Sequence, residues 1–217
     1  MSVQFSFMMS YVILFTTGTI CFIEALRTTS PMIRHIFNLE TCISIVACYF
    51  YYLFMEKLKE YEAKQQPINW KEMTQFRYLD WSITTPMMLI VLCAVLAYNI
   101  NKVVHVSMIL TILVLNYVML YFGYLGETNV MDRCPAAGAS FIAFFLMYVI
   151  LFYEYIKPKY NLPNYLFYTL YFVTWTAYGI VYFLDEETKN IWLNFLDVVS
   201  KCFVGLILWF YYTKIIV

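Results

Sequence analysis

Asp197 and Lys201 stand four residues apart within Asn194–Trp209, a stretch apolar enough to cross a bilayer. That spacing sets a carboxylate and an ammonium on one helical face, one turn apart. A lysine at mid-membrane costs at least about 2.5–3.5 kcal/mol on insertion scales, so it reads as functional, with a partner close by. A lysine amine in a dry pocket can also condense with an aldehyde to form a Schiff base. The competing readings are a structural Lys–Asp pair inside a helix bundle and a lysine that snorkels to the surface. The apolar run after Lys201, Cys202 to Trp209, argues against snorkelling.

A second set lies in Arg77-Tyr78-Leu79-Asp80-Trp81-Ser82-Ile83-Thr84-Thr85-Pro86. Arg77, Asp80 and Thr84 are three and four residues apart and share a helical face. A cation, a carboxylate and a hydroxyl running into a membrane form the column that a proton path needs. The arginine keeps the carboxylate ionised at neutral pH, and the hydroxyl bridges it to whatever lies deeper. The bland alternative is an Arg–Asp pair at the bilayer surface. Asp80 lies too deep for that, and the Lys201 segment offers it a partner.

The elements that must position these residues are membrane helices. Of 217 residues, 63% are hydrophobic, 21% aromatic and only 13% charged, against about 25% charged in ordinary soluble domains. Fourteen basic residues balance fourteen acids, so charge points to no nucleic-acid partner. The six cysteines, Cys21, Cys42, Cys48, Cys93, Cys134 and Cys202, show no metal-ligand spacing; they read as free, buried packing residues, and no metal site is expected. His35 and His105 fall near helix ends, as solvated or capping groups. No cleavable signal peptide is expected, because the first apolar run lacks a basic leader and is long enough to span.

Seven apolar segments, each near the ~20 residues a bilayer requires, are marked at about 4–26, 32–55, 75–98, 104–125, 136–156, 163–184 and 189–214. They predict an all-α membrane protein: one seven-helix domain over 1–217, with no room for a second. The connection 56–74 reads as charged and solvated. Pro31, Pro135 and Pro163 sit in first turns, where a missing N–H does no harm. Pro86 lies inside the third segment; it should free a carbonyl one turn earlier and kink the helix, with the Ser82 or Thr85 hydroxyl covering the exposed groups. With the N-terminus outside, Arg27, Arg34, Lys102, Lys157, Lys159 and Lys214 lie within, and Lys57, Lys59, Lys64, Lys71, Arg133 and Lys189 lie without. That equal split leaves orientation undecided by the basic residues. The acids Glu56, Glu60, Glu62, Glu72, Glu127, Asp132, Asp185, Glu186 and Glu187 gather on the outer side and favour this orientation.

Arg-Tyr-x-Asp-Trp-x-x-Thr-Thr-Pro at 77–86 and Leu-Asp-x-x-x-Lys at 196–201 resemble helices C and G of the microbial (type I) rhodopsins. Trp175-Thr176-Ala177-Tyr178 resembles the stretch of helix F that sandwiches retinal. The resemblance implies all-trans retinal at the centre of the bundle, bound covalently to Lys201 as a protonated Schiff base. Asp80 would be the counterion and proton acceptor, Asp197 the second counterion, with Arg77 below both and Thr84 hydrogen-bonded to Asp80. Trp81 and Trp175 would stack on the two faces of the polyene. Thr85, Met88, Met119, Gly123, Ser140, Phe144, Tyr178 and Tyr182 would complete the pocket, with Asn116 beside Thr85. An apolar Met88 goes with green rather than blue absorption.

The departures bear on function. Outward proton pumps of this family carry a carboxylate donor eleven residues after the acceptor; here that residue is Val91. The release-group glutamate twelve before the lysine is Lys189, for which Asp185-Glu186-Glu187 could substitute, and Gly179 stands where helix F usually has proline. An acid occurs elsewhere: Glu40, about two turns into the second segment. Buried there beside Phe37, Leu39 and Ile43, it would hold a proton and could donate it. The alternative is a structural ion pair with Arg34 or with a neighbouring protomer. Glu24 adds another polar group on the inner side. The short chain and charged second helix are similar to the rhodopsins of large DNA viruses of marine protists, which implies a host-cell membrane and assembly as a homo-oligomer, a pentamer or trimer. The leading expectation is a light-driven outward proton pump in a lipid bilayer, not an enzyme. A light-gated cation channel, in one form through an oligomer pore, and a photosensor signalling to a partner stand as alternatives. Cys202, where channel relatives tend to carry asparagine, counts against a pore within the protomer.

Overall fold

The computed structural model describes residues 2–213, which form seven helices: α1 (Val3–Arg27), α2 (Pro31–Ala63), α3 (Trp70–Ile100), α4 (Val106–Glu127), α5 (Arg133–Ile156), α6 (Leu162–Val181) and α7 (Glu186–Thr213). Lys214, counted above among the inner cations and as the end of the seventh segment, lies outside the described residues. Six of the helices are long and apolar enough to cross a membrane. The exception is α6, where Tyr165, Tyr168, Tyr171, Trp175 and Tyr178 lower the hydropathy. Its 20 residues still span about 30 Å at 1.5 Å per residue, the thickness of a bilayer core.

The expected solvated connection 56–74 is largely helix. α2 runs two turns past the apolar segment, α3 begins at Trp70, and only Lys64 to Asn69 connects them. The charges read as a loop signal are instead spaced for helical pairing. Lys59 bonds Glu56 at 2.9 Å, Lys64 bonds Glu60 at 2.7 Å, and Lys57 reaches across to Glu72 at 2.9 Å. The Tyr61 hydroxyl donates to the same Glu72 carboxylate.

The chain divides into two compact units, Met1–Asp80 with Ile180–Val217 and Trp81–Gly179. The first therefore holds α1, α2, the opening turns of α3, and α7. On α1 the buried positions Ser6, Ser10, Leu14, Thr17, Cys21 and Ala25 recur every three or four residues, a stripe of mostly small side chains that lets helices approach closely. Gly18 lies so near α2 that an added Cβ would stand 3.0 Å from Ser44 Cβ. The opposite face of α1 exposes Phe5, Val12, Phe15 and Phe22, as a lipid-facing surface must.

The second unit holds the rest of α3, with α4, α5 and most of α6. α3 passes through Pro86 without a break. The Ser82 carbonyl that Pro86 leaves free accepts a hydrogen bond from the Tyr117 hydroxyl at 3.2 Å. The Thr85 hydroxyl, one of the two expected local covers, donates to the neighbouring Trp81 carbonyl at 2.7 Å. Gly179 has a steric reason. A Cβ there would overlap the Phe141 ring of α5. At one end of this unit, the fully buried Asn164 accepts from Asn99 at 2.8 Å and donates to the Leu96 carbonyl at 2.9 Å. Of the cysteines, Cys42 and Cys134 are exposed rather than buried packing residues, and the other four are buried. Both histidines are exposed, His105 as the residue before α4.

Candidate functional site

α7 carries a stripe at Asn190, Asn194, Asp197 and Lys201, spaced four, three and four residues, so all four share a face. All are buried. Lys201 Nζ lies 2.8 Å from Asp80 Oδ2 and 3.3 Å from Asp197 Oδ2. The lysine is 2% exposed and both aspartates are fully buried. Around it the backbone widens into a π turn, Val198–Phe203, a departure that recurs at functional positions in helices and that nothing in the local sequence announces.

Arg77 is buried one turn before Asp80 on α3. Its guanidinium lies 3.6 Å from Asp197 Oδ2 and donates to Asn194 Oδ1 at 2.8 Å and Asn190 Oδ1 at 3.1 Å. The rings of Phe7, Tyr51 and Phe54 surround it at 5.0–6.0 Å from their centroids, which offsets part of the loss of hydration. The Tyr51 hydroxyl lies 2.9 Å from Asp197 Oδ2 and 3.1 Å from Asn194 Oδ1. Asn194 also donates to Ser6 Oγ at 2.8 Å and accepts from the Ser10 hydroxyl at its own carbonyl, 3.2 Å. Buried charges in this setting are tolerable because each is paired and hydrogen-bonded. Tyr51, Asn190, Asn194, Ser6 and Ser10 went unnoticed in the sequence. The four–three–four spacing on α7 was the signal for the two asparagines; Tyr51, Ser6 and Ser10 carry no local one.

Lys189, taken above as an outer-loop cation, is instead 2% exposed and paired with Glu186 at 2.9 Å in the first turn of α7. Asp185 caps that turn by accepting from the Thr188 N–H at 3.0 Å, which holds its carboxyl below the usual range. Of the acidic cluster that could replace a release group, one member is thus a helix cap and another an ion-pair partner.

Glu40 is 1% exposed, and its Oε1 has no hydrogen-bond partner. Arg34 does not reach it: that guanidinium donates to the Thr28 carbonyl at 2.8 Å. Glu40 Oε2 lies 3.2 Å from where a Cβ on Gly205 would stand, with Thr17 Cγ2 at 3.2 Å and Cys21 Sγ at 3.5 Å from the same point. Gly205 is four residues after Lys201, as Asp197 is four before it. An acid therefore flanks the lysine about one turn away on either side, paired on one and isolated on the other.

The second unit assembles another group of the expected residues. Trp81 meets Tyr178 edge to face at 5.4 Å. Asn116 donates to Thr85 Oγ1 at 2.9 Å and Ser140 to the Met119 carbonyl at 2.9 Å. Phe144 packs on Tyr148 at 4.7 Å, and Tyr148 touches Trp175 at 6.3 Å. Thr84 and Met88 are buried on α3, Gly123 is buried on α4, and Tyr182, just past α6, is buried within the first unit.

Comparison with known proteins identifies the family. The family model described as bacteriorhodopsin-like protein matches residues 1–215. The green-light absorbing proteorhodopsin of Gamma-proteobacterium EBAC31A08 is 31% identical over 159 residues, 63% of this chain and 60% of the relative. The match thus spans about 60% of that relative's length. The crystal structure of viral rhodopsin OLPVRII superposes with a TM-score of 0.90 at 42% identity over 99% of both chains. A blue light-absorbing proteorhodopsin from Med12 shares the fold, at a TM-score of 0.76 and 22% identity over 98% of this chain and 97% of that one. The seven helices, the family match over nearly the whole sequence and the likeness to a viral rhodopsin lead to one conclusion: this multi-pass membrane protein belongs to the bacteriorhodopsin-like family.

Proposed function

We propose that the protein is a light-driven outward proton pump, with its N-terminus outside and its C-terminus in the cytoplasm. The observation that carries this reading is the asymmetry about Lys201. Toward the start of α7 a continuous polar network runs through Asp80, Asp197, Tyr51, Arg77, Asn194 and Asn190. Toward the end of α7 the nearest acid is Glu40, buried, with no cation beside it and Oε1 unpartnered. A nitrogen that releases a proton into one side and recovers it from the other moves charge in one direction.

Retinal, joined to the Lys201 nitrogen as a protonated Schiff base, would supply visible-light absorption and an isomerisation that redirects the N–H bond. The donor set suits it: a dry cation between two carboxylates. Asp80 takes the proton from the Lys201 nitrogen, since its Oδ2 is the nearer acceptor. Asp197 stays ionised, held by the Tyr51 hydroxyl and by Arg77. Glu40, buried without a cation, carries a proton because an isolated buried charge is too costly. It returns that proton to the nitrogen and becomes a carboxylate, doing the work for which Val91 has no proton. Trp81 and Trp175 would hold the polyene. The apolar Met88, and a relative named for absorbing green light, support a green-absorbing pigment.

Illuminated vesicles decide the matter. A pump produces a pH change without an imposed gradient and a current at zero driving force under voltage clamp. A channel current would reverse with the gradient, and a sensor would give almost none; either result overturns the pump.

A further inference from the structure

We infer that Glu24 is the group that refills Glu40 with protons, and that Trp209 and Phe37 form the gate between them. This rests on the reading of Glu40 as a proton donor. A donor that has become a carboxylate must regain a proton from the side on which α1 ends and α2 begins, and Glu40 has no direct route there. Between it and that end lies a plug of buried Cys21, Ala25 and Phe37, covered by Ile33, Trp209 and Tyr212. The Phe37 ring meets Tyr212 edge to face at 6.3 Å. One turn beyond Cys21 on α1 stands Glu24, and one turn beyond Gly205 on α7 stands Trp209.

These two residues are joined. Trp209 Nε1 donates to Glu24 Oε2 at 3.4 Å, and the exposed Arg27 lies 3.9 Å from the same oxygen. The Glu24 side chain is 13% exposed, so it touches water on one side and the plug on the other. It is the only carboxylate on α1, and α7 has none after Asp197 within the described residues. Among the described residues, and apart from Glu40 itself, this end of the first unit offers Glu24 as its one carboxyl group for proton collection. A single indole N–H holds the plug to it, a long and easily broken hydrogen bond. In the refilling step, Glu24 takes a proton from bulk water and passes it, through water admitted when Trp209 lets go, to the Glu40 carboxylate. Glu40 ends as the acid and Glu24 as the carboxylate it was before.

The test is infrared spectroscopy of the full-length, retinal-loaded protein in vesicles. The acid carbonyl band that disappears in Glu40→Gln identifies Glu40. If no band disappears, Glu40 holds no proton in the dark, and the donor reading falls together with this inference. With the band in hand, exchange of its proton is followed in the dark after transfer to D2O. Glu24→Gln keeps an acceptor for Trp209, so it should preserve the plug. It should nonetheless slow exchange on the order of 100-fold, the low end of what a positioned proton-transfer group contributes. Trp209→Phe, which removes the N–H, should quicken exchange. After a flash, Glu24→Gln should leave reprotonation of the Lys201 nitrogen unchanged and delay the return of the Glu40 band. Wild-type exchange and wild-type band recovery in Glu24→Gln would overturn the assignment of Glu24, and unaltered exchange in Trp209→Phe would overturn the gate.

Discussion

The Lys201 nitrogen sits 2.8 Å from Asp80 Oδ2, with both side chains shut off from water. At that distance and burial, neither charge is independent of the other, and any change to one is felt at once by its partner. The nitrogen's second carboxylate, Asp197, is committed elsewhere, to Tyr51 and Arg77. These contacts support the proposed roles, Asp80 as proton acceptor and Asp197 as the counterion that stays ionised.

Lys201→Ala should abolish visible absorbance after retinal is added, because the amine that anchors it is gone. Lys189 is the control. It is buried too, but beside Glu186 in the first turn of α7, and Lys189→Ala should keep its colour. A coloured species in Lys201→Ala that survives denaturation would show that another amine carries the chromophore.

Acidification should shift the absorption maximum to the red, and Asp80→Asn should already be red-shifted at neutral pH. The Asp80 carboxylate stabilises positive charge at the Lys201 nitrogen more in the ground state than in the excited state, so neutralising it narrows the gap. Asp80→Asn should also give no photocurrent. Absorption spectra across pH and voltage clamp check both; wild-type colour and current in the variant would move the acceptor role to Asp197.

Glu40→Gln should leave the colour and the first deprotonation unchanged. Recovery of the proton by the Lys201 nitrogen should become slower and strongly pH-dependent, with partial rescue by azide, since the proton must then come from solution. Flash photolysis across pH measures this. Gly205→Ala perturbs the same carboxyl differently, placing a methyl about 3.2 Å from Glu40 Oε2 and Thr17 Cγ2. It should alter the same kinetic phase without abolishing it.

The legible parts were those with a period. Seven apolar runs gave seven helices, and the three–four spacing of Arg77, Asp80 and Thr84 and the four-residue step from Asp197 to Lys201 gave two polar faces. The parts that could not be read arise from packing between helices. Tyr51 stands in a run of aromatics, Tyr49-Phe50-Tyr51-Tyr52, where no local feature marks it out from its neighbours; its contact with Asp197 does so. Gly179 looked like a substitute for a helix-loosening proline, and its cause is the ring of Phe141. Charge misled at both ends of its range. The run after Glu56 is helix because its ions pair along the helix, and Lys189 is buried because Glu186 accompanies it.

Gly179→Ala should destabilise the protein by about 1–3 kcal/mol, the usual effect of forcing extra volume into a packed site. The added methyl must displace Phe141, whose ring stacks on Phe145 at 5.9 Å and meets Phe144 at 6.1 Å. Thermal unfolding of the pigment reads this, and a stability equal to wild type would mean that the α5 ring moves aside at no cost.

Asn194 should matter more than Asn190, although both face Arg77. Asn194 Oδ1 receives Arg77 at 2.8 Å and lies 3.1 Å from the Tyr51 hydroxyl, while its amide donates to Ser6. Asn190 accepts from Arg77 at 3.1 Å and otherwise turns back to the Glu186 carbonyl within its own helix. Replacing Asn194 by leucine keeps the branched shape and heavy-atom count but strips a buried guanidinium of its shorter hydrogen bond, at about 1.5–3 kcal/mol for a bond to a charged group. It also leaves the Ser6 hydroxyl unpaired as an acceptor. Asn190→Leu removes the longer of the two Arg77 bonds and should cost less. The double variant should be worse than the sum of the two, because each asparagine covers for the loss of the other at the same guanidinium. Thermal unfolding of the three variants measures the order. Equal costs for the two single variants, or strict additivity in the double, would show that Arg77 is held by Asp197 and the aromatic rings alone.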